Sequence, residues 1–347
     1  MKLLVCGGAG FIGSRFVEYR LATSTDDLIV LDKLTYAGGR DNLAAVEADA
    51  KLAGRLTFVR GDIADPDVVT SLVKDADAIV DFAAETHVDR SILDPGATAR
   101  TNVMGVQVLL HALHSAFISD GRMRRMVQVS TDEVYGPAVS GAHAEDARLA
   151  PRSPYAATKA AGDLLVLAAH LTYGLDVVIT RGANTYGPRQ HPEKLVPLFI
   201  TNALKDRQMP LYGDGQQRRD WLHVDDHASA ISRVLDAGDA GSVYNIVAGQ
   251  ERANRDVARG ILERLDKPWS LVRQVADRPA HDQRYAMVGE RLASLGWRPL
   301  TAFEAGLDAT VAWYRANEDW WRRRQGREWD RYYERQYGHR LASGVEA

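Results

Sequence analysis

The chain reads as an α/β protein in which a doubly wound parallel sheet carries a smaller, discontinuous α/β lobe. Three observations predict this. Short apolar runs alternate with helical stretches through the first half of the chain, the spacing of βαβ units. The first run, Lys2-Leu-Leu-Val-Cys6, enters Gly7-Gly-Ala-Gly-Phe-Ile-Gly13, and a helical stretch follows. A second run, Leu28-Ile-Val-Leu31, ends in Asp32, and 32 − 13 = 19 positions separate Asp32 from Gly13. That is close to the roughly 20 at which a carboxylate grips an adenosine ribose in dinucleotide-binding units.

Each element has a local reason. The glycines permit a tight turn and let backbone N–H groups approach a pyrophosphate at a helix N-terminus, the Rossmann arrangement. Asp32 repels a 2′-phosphate, which favours NAD over NADP. Leu56-Thr-Phe-Val59 ends at Gly61-Asp62-Ile63, and Ala78-Ile-Val-Asp-Phe82 ends at Ala83-Ala84. Met126-Val-Gln-Val129 ends at Ser130, and Val177-Val-Ile-Thr180 ends near Arg181. Helices are predicted between them at Thr101–Phe117 and Tyr155–Tyr173. Ligands collect beyond the C-terminal ends of such strands, where all these motifs fall. Beyond about Asn184 the pattern is loop-rich, with Pro188, Pro192, Pro197 and Pro210. The expected division is a dinucleotide domain over 1–183 with about 220–247, a substrate lobe over about 184–219 and 248–315, and a helical tail over 316–347. The tail mixes Trp320-Trp321-Arg-Arg-Arg324 with Trp329, Tyr332 and Tyr333. It reads as an amphipathic helix packed on the protein with its arginines in water.

Two groups of residues carry chemistry. Tyr155 and Lys159 are four apart, on one face of a helix, and an ammonium beside a phenol favours the phenolate. Tyr155 is thus expected to act as a base below its free pKa of roughly 10. Upstream lie Thr131, Asp132 and Glu133. Two adjacent carboxyl groups add an acid and a base that a plain dehydrogenase does not need. Taken alone, the same three residues would make a good helix N-cap.

Composition narrows the class. The chain has 347 residues, 46% of them hydrophobic, enough for a large core. A net charge of −3 and a pI near 6.4 provide no field for nucleic acid. One cysteine, Cys6, cannot form an internal disulfide, which fits a reducing cytoplasm. No apolar run is long enough to span a membrane. The ten histidines show no tight metal-ligand spacing, so no metal is expected; His111 and His114 read as packing residues.

The motifs together resemble the extended short-chain dehydrogenase/reductases, and among them the dTDP-glucose 4,6-dehydratases, from residue 1 to about 315. The resemblance rests on Gly7–Gly13, Leu31-Asp-Lys-Leu-Thr-Tyr-Ala-Gly38, Ala83-Ala-Glu-Thr-His-Val-Asp-Arg-Ser91 and Ser130-Thr-Asp-Glu-Val-Tyr-Gly136. Tyr155 with Lys159, Tyr186-Gly-Pro188, Pro192-Glu-Lys-Leu-Val-Pro197, Arg219-Asp-Trp221 and Arg278-Pro-Ala-His-Asp282 extend it. It implies catalytic roles for Thr131, Asp132, Glu133, Tyr155 and Lys159. It implies NAD contacts from Gly7, Gly10, Phe11, Ile12, Gly13 and Asp32, from Lys33, Thr35, Gly38, Asp62 and Ile63, and from Ala83, Ala84, Asn102, Tyr155 and Lys159. A nucleotide sugar would meet His87, Thr131, Asn184, Lys194, Leu195, Arg219 and Asn254, with Arg278 and His281 at its diphosphate. In the implied reaction Tyr155 deprotonates the C4 hydroxyl as hydride passes to NAD. Glu133 then takes the C5 proton, Asp132 protonates the leaving C6 hydroxyl, and hydride returns to C6. The resemblance also implies a homodimer through a four-helix bundle, and the apolar Leu164, Leu165, Leu167 and Leu171 fit an interface. Two departures bear on recognition: Thr185 stands where a second Asn is common, and Met287-Val288 where an Asp is common. They leave open thymine against uracil and the hexose. The competing functions are a 4,6-dehydratase of UDP-glucose or another NDP-hexose, a sugar-nucleotide 4-epimerase, and a catalytically idle NAD-binding protein.

Overall fold

A computed structural model describes residues 1–277 and 281–343. Twelve strands follow in chain order: β1 (Lys2–Cys6), β2 (Asp27–Asp32), β3 (Leu56–Arg60), β4 (Ala78–Asp81), β5 (Arg125–Thr131), β6 (Val177–Gly182), β7 (Asn184–Tyr186), β8 (Met209–Tyr212), β9 (Arg218–His223), β10 (Val243–Ile246), β11 (Glu251–Ala253) and β12 (Val272–Val275). Seven form one sheet in the order β10-β6-β5-β4-β1-β2-β3, with every pairing parallel. The strand order turns back between β1 and β4, and beyond the C-terminal ends at that point a crevice opens, as the topology requires.

The strands are apolar runs because both faces of the sheet are covered. Side chains alternate across it. Leu3, Val5, Leu28, Val30 and Val127 enter one core with the helices Phe11–Thr23 and Val224–Ala237. Leu4, Cys6, Ile29, Leu31 and Met126 enter the other with Pro66–Asp75, Val106–Asp120 and Pro154–Tyr173. Each such side chain contributes about 1.5–3 kcal/mol on leaving water. Ahead of Val106 the expected helix over Thr101–Phe117 starts as a π-type turn, Arg100–Gly105.

The second half is more structured than its prolines suggest. Strands β7, β9 and β11 make a three-stranded sheet, and β8 pairs with β12. Helices Leu195–Leu204, Asn254–Leu265 and Phe303–Ala316 enclose a separate core around Phe199, Ile200, Ile261 and Leu307. Leu292, Leu295 and Trp297 pack instead into the core of the large sheet.

The tail differs from a single amphipathic helix. It breaks into Glu318–Arg324, Arg327–Tyr333, a π-type turn Glu334–Gly338 and His339–Ser343. Trp320, Trp321, Trp329, Tyr332 and Tyr337 are buried in the core of the lobe. An arginine is drawn in with them: the Arg324 side chain is 9% exposed and paired with Asp41. Gly326 is the N-cap of the second segment, and three tryptophans within ten residues cannot all face one stripe of a straight helix.

Candidate active site

The glycine turn is built by contacts that exclude side chains. Gly7 has φ +70°, and a Cβ on Gly13 would stand 2.3 Å from the Gly7 carbonyl oxygen. The helix Phe11–Thr23 therefore starts hard against the end of β1. Gly10 is its N-cap and supplies no side chain to its first N–H groups. Those groups lack intrahelical partners and border the crevice, the donor set that suits a pyrophosphate. Asp32, at the end of β2, accepts from the Ala9 N–H at 3.0 Å and the Leu34 N–H at 2.8 Å. Burial raises its pKa; the two backbone donors partly offset this. Lys33 donates to Thr101 at 3.1 Å and lies 3.7 Å from Asp62 and 3.8 Å from Glu85.

One cavity collects the residues expected at a cofactor: Gly7, Gly10, Phe11, Ile12 and Gly13, then Asp32, Lys33, Thr35 and Gly38, then Asp62, Ile63, Ala83 and Ala84. Asn102 is behind the wall. Its amide receives the Glu85 N–H at 2.9 Å and donates to the Glu85 carbonyl and to Thr158, tying the end of β4 to the helix of Tyr155.

At the other end of the same cavity stand Thr131, Asp132, Glu133, Tyr155 and Lys159. Thr131 ends β5 and caps a one-turn helix, Asp132–Tyr135, accepting from the Glu133 N–H at 3.3 Å and donating to Asp132 at 3.1 Å. Tyr155 and Lys159 share the buried face of Pro154–Tyr173, whose N-cap is Ser153. Burial, the neighbouring Glu133 and, against them, Arg219 leave the Asp132 carboxyl at about 7. This separation of two adjacent carboxyls is what an acid/base division requires.

Tyr155 departs from the expectation. Burial and the charges of Glu133 and Asp132 push its phenol up, with only a hydrogen bond to Thr131 opposing. The Lys159 ammonium donates to the Val129 carbonyl at 2.7 Å, and burial lowers its pKa against the pull of Asp81 and Asp163. Sequence spacing placed the two on one face but could not show which acceptor the amine takes.

On the lobe side Asn184 and Lys194 line the cavity. The Asn184 Oδ1 is buried without a hydrogen-bond partner in the protein, an acceptor ready for a hydroxyl. Lys194 donates to the Thr86 carbonyl at 2.8 Å. The other expected substrate residues that the structure describes lie outside the cavity wall. His87 caps Val88–Leu93 and meets Tyr332 edge-on at 5.7 Å. Leu195 opens the helix Leu195–Leu204 and packs on the lobe core. Arg219 stacks on Tyr285 at 4.3 Å and donates to the Asp282 carbonyl at 2.8 Å. Asn254 is buried, with an unpartnered Oδ1, at the start of Asn254–Leu265. His281 pairs with Asp277 and faces Tyr212. Arg278 lies outside the described residues.

Several cavity residues were missed. Glu193 receives the Tyr36 hydroxyl and the Arg90 guanidinium, each at 2.8 Å; burial would raise its carboxyl, but His87, His191, Arg90 and Lys194 hold it at about 2. Behind Lys159 a buried pair, Arg181–Asp163 at 2.8 Å, backs the site. Asp163 was findable, because Tyr155, Lys159 and Asp163 repeat every four residues on one helical face. Among the described residues no group of three or more His, Cys, Asp or Glu side chains is placed to hold a metal ion, and no helix is long and apolar enough to cross a membrane.

A family model described as GDP-mannose 4,6 dehydratase matches residues 4–310. The dTDP-glucose 4,6-dehydratase of Streptomyces niveus is 52% identical over 327 residues, 92% of this chain and 95% of that protein. The crystal structure of the dTDP-glucose 4,6-dehydratase DesIV from Streptomyces venezuelae, with NAD and TYD bound, superposes with a TM-score of 0.89 at 51% identity, covering 93% of this chain and 100% of that one. A Thermus thermophilus UDP-glucose 4-epimerase in complex with NAD gives a TM-score of 0.82 at 32% identity over 91% of this chain and 100% of that one.

Proposed function

The chain belongs to the family described as GDP-mannose 4,6 dehydratase, and we propose that within it this protein dehydrates dTDP-glucose to dTDP-4-keto-6-deoxyglucose as an NAD-dependent lyase. The observation that carries this reading is the pair Asp132 and Glu133 beside Tyr155. A 4-epimerase needs a tyrosine and NAD, but not a buried carboxyl held at about 7 next to a second carboxylate. The share of identical residues points the same way, 51% with a dehydratase structure against 32% with an epimerase.

NAD bound along the cavity would supply the hydride acceptor and return the hydride, with no net redox change. The protein's own groups move the protons. Tyr155 takes the proton of the C4 hydroxyl once its phenolate forms, which the nearby Lys159 ammonium favours. The C4 ketone acidifies C5, and Glu133 removes that proton. Asp132, half protonated near neutrality, donates to the departing C6 hydroxyl. Thr131 holds the C4 oxygen. Asn184 and Lys194 bind the nucleotide sugar from the lobe side, with Arg219, Asn254 and His281 completing the site when substrate draws the lobe inward. We further infer a cytoplasmic homodimer joined through Val106–Asp120 and Pro154–Tyr173. Leu164 and Leu171 support it: they are 58% and 83% exposed, and the tail that could have covered them packs on the lobe.

Incubation with dTDP-glucose tests the reading. The expected product is a 4-keto sugar nucleotide detected by its alkaline ultraviolet absorbance. Formation of dTDP-galactose would mean epimerisation, unchanged sugar would mean an idle protein, and preferential turnover of UDP-glucose would reassign the base.

A further inference from the structure

Asn42 is fully buried between the glycine turn and the C-terminal tail, and every polar group it has is engaged. Its amide nitrogen donates to the Ala9 carbonyl at 2.8 Å. The same carbonyl accepts from the Gly39 N–H at 3.1 Å, while the Ala9 N–H donates to Asp32 at 3.0 Å. Ala9, in the middle of the Gly7–Gly13 turn, is thus held on both sides. From the tail, the Asn42 side-chain oxygen receives the Trp320 indole N–H at 3.0 Å and the Arg324 guanidinium at 3.2 Å. Its backbone carbonyl receives Arg189 at 2.7 Å. Arg324 also pairs with Asp41 at 2.7 Å and lies 3.7 Å from the centre of the Trp320 ring.

An amide side chain fits such a slot either way round, and its neighbours decide which. Trp320 and Arg324 have only donors to offer. They fix the oxygen of Asn42 toward the tail, so its NH₂ must face Ala9. The Ala9 carbonyl belongs to the peptide plane that carries the Gly10 N–H, at the cap of the helix Phe11–Thr23. Holding that plane sets the direction of the backbone donors that follow it.

We propose that Trp320 and Arg324 are positioning residues for the dinucleotide site: through Asn42 they clamp the Ala9–Gly10 peptide and so slow cofactor release. The proposal rests on the reading that the turn binds NAD. It places a determinant of cofactor retention on the first segment of the tail, past residue 310, where the family match ends. It does not touch the chemistry of Tyr155, Asp132 or Glu133 at the other end of the cavity.

Three variants of the full chain test it. Trp320→Phe with Arg324→Met keeps the ring in its core but removes both donors. Asn42→Asp strengthens the contact with Arg324 yet cannot donate to Ala9. Arg324→Lys keeps the charge and should restore part of the effect. The readout is release of bound NADH into excess NAD after rapid mixing, with dTDP affinity measured alongside by calorimetry. Release should be roughly five- to tenfold faster in the double variant and in Asn42→Asp, since a net hydrogen bond is worth on the order of a tenfold change. The dTDP affinity should stay within twofold. Release from Asn42→Asp at the wild-type rate would overturn the clamp, as would a parallel loss of dTDP affinity, which marks general loosening of the lobe. A wild-type protein that binds no NADH would overturn the NAD reading and the proposal together.

Discussion

Replacing Glu133 with Gln should stop the reaction half-way. Asp132 has its carboxyl at about 7 rather than the ordinary 3.8, because it is buried and because Glu133 stands beside it, with Arg219 opposing. At pH 7 a carboxyl at 3.8 is protonated in roughly one molecule in 1,600, whereas one at about 7 is protonated in half. The site thus raises the supply of acid by roughly two to three orders of magnitude. Glutamine removes the second cause and leaves the first. The Asp132 pKa falls, so the alkaline limb of the elimination rate moves to lower pH. The same change removes the base for C5, and loss of general acid–base help typically costs about 100- to 10,000-fold. Tyr155 and the cofactor turn stay in place, so oxidation at C4 should survive. Rapid mixing with dTDP-glucose should then show reduced-nicotinamide absorbance that rises and persists, with C5 deuterium exchange suppressed. Tyr155→Phe, the comparison, should show no such absorbance and no C5 exchange. Wild-type turnover by Glu133→Gln would refute the role of that carboxylate and make the 4-epimerase reading the better one.

Asp132→Asn should stabilise the fold at alkaline pH. The raised carboxyl makes its stability contribution below pH 3.8 and loses it as pH rises through about 7, so at pH 8 the variant should gain up to about 4 kcal/mol in chemical unfolding with no gain at pH 4; equal effects at both would refute it. Asp32→Ala should weaken NAD binding measured by calorimetry, and equal or better use of NADP by the cofactor-free wild type would remove the argument from Asp32. Leu164→Glu with Leu171→Glu should halve the mass seen by sedimentation at micromolar concentration, and a wild-type monomer would exclude the dimer.

The large sheet was legible because its signals are local. A buried parallel strand is a short apolar run, and β1, β2, β5 and β6 each fall on one. The lobe was legible only as a region; its strands were not, because β7 and β11 have three residues each and acquire meaning only by pairing with β9. The catalytic cluster was legible where one element carries it, as with Thr131–Glu133 or Tyr155 and Lys159. Glu193 was hidden because its partners Tyr36 and Arg90 are 157 and 103 positions away. The rise of the Tyr155 phenol was hidden for a related reason: helical spacing reports a shared face, whereas burial and the charges of Glu133 and Asp132 act across the fold. The tail's arginines were expected in water on composition, but Asp41 and Asn42, far upstream, draw Arg324 inward.

Cys6 gives the molecule an experimental convenience. It is fully buried in β1, and burial together with the charges of Asp81 and Asp32 pushes its thiol well up, so it holds little of the reactive thiolate. The chain contains no other cysteine. A single cysteine introduced at an open position such as Val139, 94% exposed, would therefore be the one site a maleimide dye reaches in the folded protein. A dye there, or a pair across lobe and sheet, would report whether the lobe moves as nucleotide sugar arrives, with no native residue removed to quiet the background.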